Sequence, residues 1–305
     1  MSAKTQEQLL EGVQKGDLRA LSRLISWAEN REPGTEAVLA KLYSKIGKAR
    51  VFGITGPPGA GKSTLVGHFI RLCREKGEKV AVVAVDPVSP FTGGALLGDR
   101  IRLSEHFNDP GVFIRSLSTR GKLGGLSLAT REVVHFLDAF GFDTILLETV
   151  GVGQSEVEVR KIADATLVVL VPEWGDGVQA LKSGILEIGD VFAVHKADRE
   201  GADRIAGELR QALSELKPTP SVLLSEEKKP ESVAALLQAL RDFTEAQAAK
   251  VAGRRQAARA ATLAELVESR VLEQARQWVA AHTAAAANPY DGFLKFDAAQ
   301  TPWKA

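Results

Sequence analysis

The sequence predicts an α/β fold, a doubly wound and mostly parallel sheet with helical extensions at both ends. Three observations predict it. From Val51 onward short apolar runs alternate with longer amphipathic stretches. Runs such as VAVVAV (80–85) and TLVVLV (166–171) are apolar throughout, as strands buried on both faces are. Gly-rich or charged clusters stand directly after several of the runs, where open parallel sheets place their ligands.

The 305 residues suit one large domain with additions, or two domains. The expected division is a helical extension at 1–48, a sheet domain at 49–245 and a C-terminal helical extension at 246–305. Hydrophobic content of 45% and charged content of 25% fit a soluble globular chain. A formal net charge of +1 steers it toward neither nucleic acid nor an anionic membrane. Cys73 is the only cysteine, so no intrachain disulfide forms, which fits a reducing cytosol. The N-terminus lacks the apolar core of a signal peptide, and no apolar run reaches the ~18 residues of a membrane span. A cytoplasmic location is expected.

The first 48 residues read as helices. Leu9, Leu10, Val13, Leu18, Leu21, Leu24 and Ile25 recur at helical spacing. Glu32-Pro33-Gly34 interrupts them, and a second helix is expected to about Lys48, packed on the core. Strands are expected at 50–54, 80–85, 112–115, 144–148, 166–171, 191–195 and 221–224.

The first strand leads into Gly56-Pro57-Pro58-Gly59-Ala60-Gly61-Lys62-Ser63-Thr64. This is the P-loop pattern G-x-x-x-x-G-K-[ST]. Its glycines admit backbone turns that a Cβ would block, and the turned loop aims amide N–H groups at a phosphate chain. The following helix adds the positive end of its dipole. Lys62 would pair with the β and γ oxygens, and the Ser63 hydroxyl would ligate Mg²⁺.

The second strand ends at Asp86, ahead of Leu97-Gly98-Asp99-Arg100. A carboxylate at a strand end beside a triphosphate can hold Mg²⁺, directly or through water, or can orient a nucleophile. Asp86 and Asp99 are both candidates, and Arg100 can reach phosphate or form a surface ion pair. The fourth run ends in Glu148-Thr149-Val150-Gly151-Val152-Gly153-Gln154. An acidic residue closing an apolar strand is the Walker B arrangement. Gly151 stands where a nucleotide switch offers its backbone N–H to the γ-phosphate. Glu148 replaces the more frequent Asp, and its longer side chain still reaches Mg²⁺ through a water. The fifth run leads into Pro172-Glu173-Trp174-Gly175-Asp176-Gly177, a candidate mobile loop. Trp174 is either a recognition residue or the cap of a small cluster.

The sixth run ends in His195-Lys196-Ala197-Asp198, one letter from the guanine-reading N-K-x-D. Asp198 would accept from guanine N1–H and the 2-amino group, a donor pair that adenine lacks. The Lys196 stem would cover the base plane. His195 takes the place of the usual Asn, and one imidazole nitrogen can donate to a base acceptor or to a backbone carbonyl. Ser225 stands after the seventh strand, where such proteins support the guanine. His68, His106, His135 and His282 lack partners at metal-ligand spacing. From about Pro230 the chain is expected to be helical to Ala287. Leu263, Leu266, Val267, Val271, Leu272, Ala275 and Trp278 form an apolar stripe that a second copy of the chain or the protein's own core would cover. The homodimer contact is the expectation.

The blocks GPPGAGKST, VDPVSPFTGGALLGDRIRL, STRGKLGGLS, ETVGVGQSE, QALKSGILEIGD and HKAD stand in one order. In this the chain resembles the MeaB/MMAA/ArgK family of P-loop GTPases, over roughly residues 5–200. The resemblance implies a GTPase domain on the sheet, GTP or GDP as bound nucleotide, and Mg²⁺ handled by Ser63, Asp86, Asp99 and Glu148. It implies nucleotide-sensitive loops at Thr92–Asp99, Gly151–Glu156 and Pro172–Lys182. It also implies a homodimer that acts as chaperone to an adenosylcobalamin-dependent acyl-CoA mutase such as methylmalonyl-CoA mutase. The family usually has P-G-A-G-D where this chain has Pro172-Glu173-Trp174-Gly175-Asp176, and Asn where it has His195.

Hydrolysis of a nucleoside triphosphate needs positioning and charge neutralisation more than covalent chemistry. Gln154, Glu148 and Asp86 are equally placed to orient the attacking water, and slow intrinsic turnover is expected. The competing class is an ATP-dependent kinase or ATPase linked to arginine or ornithine transport, against which Asp198 argues.

Overall fold

A computed structural model describes residues 3–86, 103–118, 125–149, 154–173 and 185–282 of the chain. Seven strands form one sheet: β1 (Arg50–Thr55), β2 (Val80–Asp86), β3 (Val112–Ser118), β4 (Thr144–Thr149), β5 (Ala165–Leu170), β6 (Val191–His195) and β7 (Ser221–Ser225). Their order is β3-β2-β4-β1-β5-β6-β7, and every pairing among them is parallel. Parallel neighbours need crossover connections, and among the described residues α-helices lie between all consecutive strands but β2 and β3. The described helices are α1 (Ala3–Gln14), α2 (Leu18–Asn30), α3 (Thr35–Leu42), α4 (Lys62–Glu75), α5 (Gly125–Phe140), α6 (Gln154–Ile162), α7 (Ile185–Ile188), α8 (Ala202–Leu213), α9 (Pro230–Ala246) and α10 (Ala248–His282).

The period of two along each strand sorts the core onto two faces. Val51, Ala81, Val83, Ile145 and Leu147 face one way and pack with Val133, Phe136 and Leu137 of α5. Phe52, Ile54, Val82, Leu146 and Leu167 face the other way and meet Leu65, Phe69 and Ile70 of α4 and Leu236 and Leu240 of α9. Val168, Phe192 and Val194, which alternate with Leu167, Val191 and Ala193 along β5 and β6, point back to the first side and pack on Ile205 and Leu209 of α8. Each fully buried Leu, Ile or Phe contributes about 1.5–3 kcal/mol, so the double-sided burial anchors the central strands.

The N-terminal segment packs into the first of these clusters through Leu9, Leu21, Leu24, Ile25, Val38 and Leu42. It holds three helices rather than two. Asp17 accepts from the Arg19 amide at 2.8 Å and caps α2, which divides the run read as continuous in the sequence. The third helix stops at Leu42 and tightens into a 3₁₀ turn over Tyr43–Lys45, short of Lys48. At the other end α9 and α10 meet at Gln247, and residues 283–287 lie outside the described residues.

The chain divides into two compact units, Met1–Ala258 and Arg259–Ala305. On α10 within the second unit Leu263, Val267, Val271, Leu272 and Val279 are exposed. No helix among the described residues is long and apolar enough to cross a membrane.

One buried carboxyl gives a pH prediction. Arg31 ends α2 in the left-handed conformation, and its Nη1 donates to Glu132 Oε2 on α5 at 3.1 Å. Burial pushes the Glu132 carboxyl up to about 7 from its ordinary 4.5, although Arg31 opposes it. Between those values the folded chain holds a proton that the unfolded chain has lost, so stability falls as pH rises through the window. Glu132→Gln keeps an acceptor for Arg31 and removes the penalty. It is expected to be near neutral at about pH 5 and stabilising by about 1–3 kcal/mol at pH 8. Urea midpoints at the two pH values check this, and an equal effect at both would refute it.

Candidate functional site

The site is built where β1 gives way to α4. Gly56 has φ +142°, and a Cβ there would lie 2.1 Å from the Val169 carbonyl oxygen of β5. Gly61 has φ +91°, and a Cβ there would meet the His195 ring at 2.6 Å. Both positions therefore admit only glycine. The loop is wedged between the β5 backbone and the end of β6. Gly61 also caps α4 without a side-chain bond, leaving the first-turn amides for an anion. Pro57 and Ala60 are buried, Pro58 and Gly59 are exposed, and Thr64 is half-buried on the first turn of α4.

Lys62 is buried, and its Nζ donates to the Gly56 carbonyl at 2.8 Å and the Pro57 carbonyl at 2.9 Å. The ammonium thus stands inside the loop, bonded to two neutral acceptors. Parallel register sets Glu148 of β4 opposite Ile54 of β1. From there its Oε1 accepts from the Ser63 hydroxyl at 2.7 Å. Both side chains are buried. Hydroxyl and carboxylate oxygens at a phosphate loop are the hard donors that Mg²⁺ takes, so these two residues fit the ion. One residue further along each strand, Thr149 Oγ1 donates to Thr55 Oγ1 at 2.9 Å and ties the strand ends together.

His195 closes β6 opposite Ser225 of β7, and its Nδ1 pairs with the Ser225 hydroxyl at 2.9 Å. Burial pushes its pKa below the ordinary 6.5, with the Glu227 and Asp198 carboxylates opposing, so the imidazole is neutral at pH 7. Its ring edge lies against Gly61. Lys196 takes the left-handed φ of +58°, uncommon for a side chain of its size, and its Nζ donates to the Gly59 carbonyl at 2.7 Å. The Ala197 amide donates to the Ser225 carbonyl at 3.1 Å, and Asp198 is exposed beside them. The loop after β6 is therefore bonded to the phosphate loop and to β7 at once.

Asp86 ends β2 and Gln154 opens α6, but their side chains lie outside the described residues, as do Asp99, Arg100, Gly151, Trp174 and Asp176 entirely. Two features escaped the sequence reading. The Thr55–Thr149 pair has no motif, because its residues are meaningful only once β1 and β4 are neighbours. Arg199 forms an ion pair with Glu173, joining the loop after β5 to the loop after β6. The Arg199 hydrogen bond holds the Glu173 carboxyl below its ordinary range.

Comparison with known proteins places this geometry in a family. The model of "Methylmalonyl Co-A mutase-associated GTPase MeaB" matches residues 21–280. A protein of Pyrococcus horikoshii named as a GTPase is 55% identical over 207 residues, which are 68% of this chain and 65% of that protein. The chain thus matches just under two thirds of that relative's length. The mouse protein "Methylmalonic aciduria type A homolog, mitochondrial" is 33% identical over 291 residues, covering 88% of this chain and 70% of the mouse protein. The crystal structure of an LAO/AO transport system kinase superposes with a TM-score of 0.72 at 26% identity, covering 97% of this chain and 98% of that one. A family model that spans most of the chain, on a fully parallel sheet with a phosphate loop after β1, leaves one assignment: the chain belongs to the MeaB family.

Proposed function

We propose that this protein is a Mg²⁺-dependent GTPase that acts as a nucleotide-switched chaperone for an adenosylcobalamin-dependent acyl-CoA mutase, gating cofactor loading and protecting or reactivating the enzyme. The observation that carries the nucleotide part is the Lys196–Gly59 bond, which fixes the H-K-A-D loop to the phosphate loop. Base and phosphates are then read by one rigid construction. The mutase part rests on the family and on the name of the mouse relative.

Ser63 and Glu148 would hold the Mg²⁺, with Asp86 and Asp99 proposed as further oxygen donors. When bound, the ion neutralises charge on the β and γ oxygens. Lys62 gives up its two carbonyl partners for phosphate oxygens, because a charged acceptor makes a bond about twice as strong as a neutral one. The loop amides hold the remaining oxygens. Gln154, Glu148 and Asp86 are the candidates for orienting water. Asp198 selects guanine, while His195 replaces the Asn tether by bonding Ser225 and abutting Gly61. The exposed apolar residues of α10 support a homodimer contact through the C-terminal extension, 246–305. The proposal includes a cytoplasmic location, which the single cysteine, Cys73, supports.

Calorimetric titration with Mg·GDP and Mg·ADP tests the reading. GDP is expected to bind at least tenfold tighter, a difference of about 1.4 kcal/mol, and Asp198→Asn is expected to erase the preference. Equal or tighter ADP binding would overturn it in favour of an ATP-dependent enzyme, the class named by the transport-kinase structure. Co-purification with a B12-dependent mutase, sensitive to nucleotide, then tests the chaperone role.

A further inference from the structure

A cavity of about 450 Å³ lies at the end of the sheet where β6 begins. Asp190 lines it, one residue before Val191, whereas His195 at the other end of β6 belongs to the phosphate-loop side. The two residues are thus roughly 16 Å apart, five steps at about 3.3 Å per residue along the strand.

The floor of the cavity is charged beyond what its carboxylate can satisfy. The Asp190 side chain is 1% exposed. It accepts from Arg254 Nη2 at 2.7 Å and Nη1 at 2.8 Å, from the Thr166 amide at 3.1 Å, and from Arg160. Four donors fill the roughly four lone-pair sites of a carboxylate. The Lys250 ammonium is left at 3.7 Å from Oδ1, beyond hydrogen-bond reach, and lies 5.3 Å from the centre of the Phe243 ring. Burial pushes the pKa of Lys250 and of Arg160 down, while Asp190 pulls each back up. Lys217 adds a further cation to the lining, and Glu187 is the other carboxylate on it. The walls are apolar, with Leu213, Leu216 and Phe243 among them.

We propose that this cavity is a second binding site, for a small organic oxyanion: a carboxylate or phosphate ester on an apolar body about the size of a benzene ring. The oxyanion would take the spare donors of Lys250 and Lys217, and the apolar body would lie along Phe243 and Leu216. The volume lies within the range of small-ligand sites. The proposal does not depend on nucleotide chemistry at the other end of the strands.

The test is calorimetric titration of the full chain with phenyl phosphate and with 3-phenylpropionate. Inorganic phosphate and benzyl alcohol serve as the two halves of such a ligand. At least one of the whole anions is expected to bind at least tenfold tighter than either half. Lys250→Gln is expected to weaken it by about tenfold. Lys250 is 40% exposed, so this variant should melt with the parent. The Lys62→Ala chain is expected to bind the anion unchanged. Four results would overturn the proposal: no binding by either anion, inorganic phosphate binding as tightly as phenyl phosphate, no effect of Lys250→Gln, or loss of binding in Lys62→Ala, which would place the anion in the phosphate loop. If 3-phenylpropionate binds and phenyl phosphate does not, the site is for carboxylates, and the reverse makes it one for phosphate esters.

Discussion

Lys62→Ala is expected to lower GTP hydrolysis by roughly 10²–10³-fold while leaving the fold in place. The ammonium is buried within the loop and bonded to the Gly56 and Pro57 carbonyls, two acceptors that the backbone supplies whatever residue 62 is. Its removal costs local bonds worth about 1 kcal/mol each. It also takes from the γ-phosphoryl group a cation that a low-dielectric site makes far more effective than in water. Lys62→Arg is expected to fail nearly as badly, because the site is closed around a compact ammonium and a planar guanidinium is larger. Single-turnover phosphate release at saturating GTP, beside thermal melts, is the measurement. A loss below about threefold with the fold intact would remove Lys62 from the machinery.

Asp190→Ala is expected to destabilise the protein by about 3–5 kcal/mol. The substitution strands Arg160, Arg254 and Lys250 around a site that has lost its carboxylate, and it leaves the Thr166 amide without its acceptor. Breaking one side of a buried ion cluster costs more than its attraction, because the remaining charges stay desolvated. For a unit of this size each kcal/mol moves the melting temperature by about 2–4 °C, so a fall of about 6–20 °C is expected in calorimetry. Asp190→Asn keeps an acceptor for two of the donors and is expected to lose less. A fall below about 2 °C for Asp190→Ala would mean that solvent already screens the cluster.

The paired carboxylates of this chain explain which parts of it were legible beforehand. Asp138 accepts from the amides of Gly47, Lys48 and Ala49, some 90 positions away in sequence. Asp164 accepts from the Val51 amide and from both Nε and Nη2 of Arg255. In the sequence each reads as an ordinary Asp near the start or end of an apolar run. Their roles exist only once distant segments meet, and no local spacing encodes such a meeting. The division of the N-terminal helices at Asp17 is different, since Gly16-Asp17 before an apolar-periodic run is a readable cap signal.

Short-range physics determined the seven strands, the loop of glycines and the place of each polar cluster after its strand. Backbone preference and burial period act over a few residues, and the sequence carries them directly. The sheet order was decided only in three dimensions. That order sets Glu148 beside Ser63, puts the β5 backbone where any Cβ at Gly56 would strike it, and brings His195 against Gly61 and Ser225. The same order gathers Arg160, Lys250 and Arg254 from two helices around the Asp190 carboxylate, one residue before β6. Charges so far apart in the chain meet because burying the apolar runs between them brings them together, and a desolvated charge is costly unless it is paired.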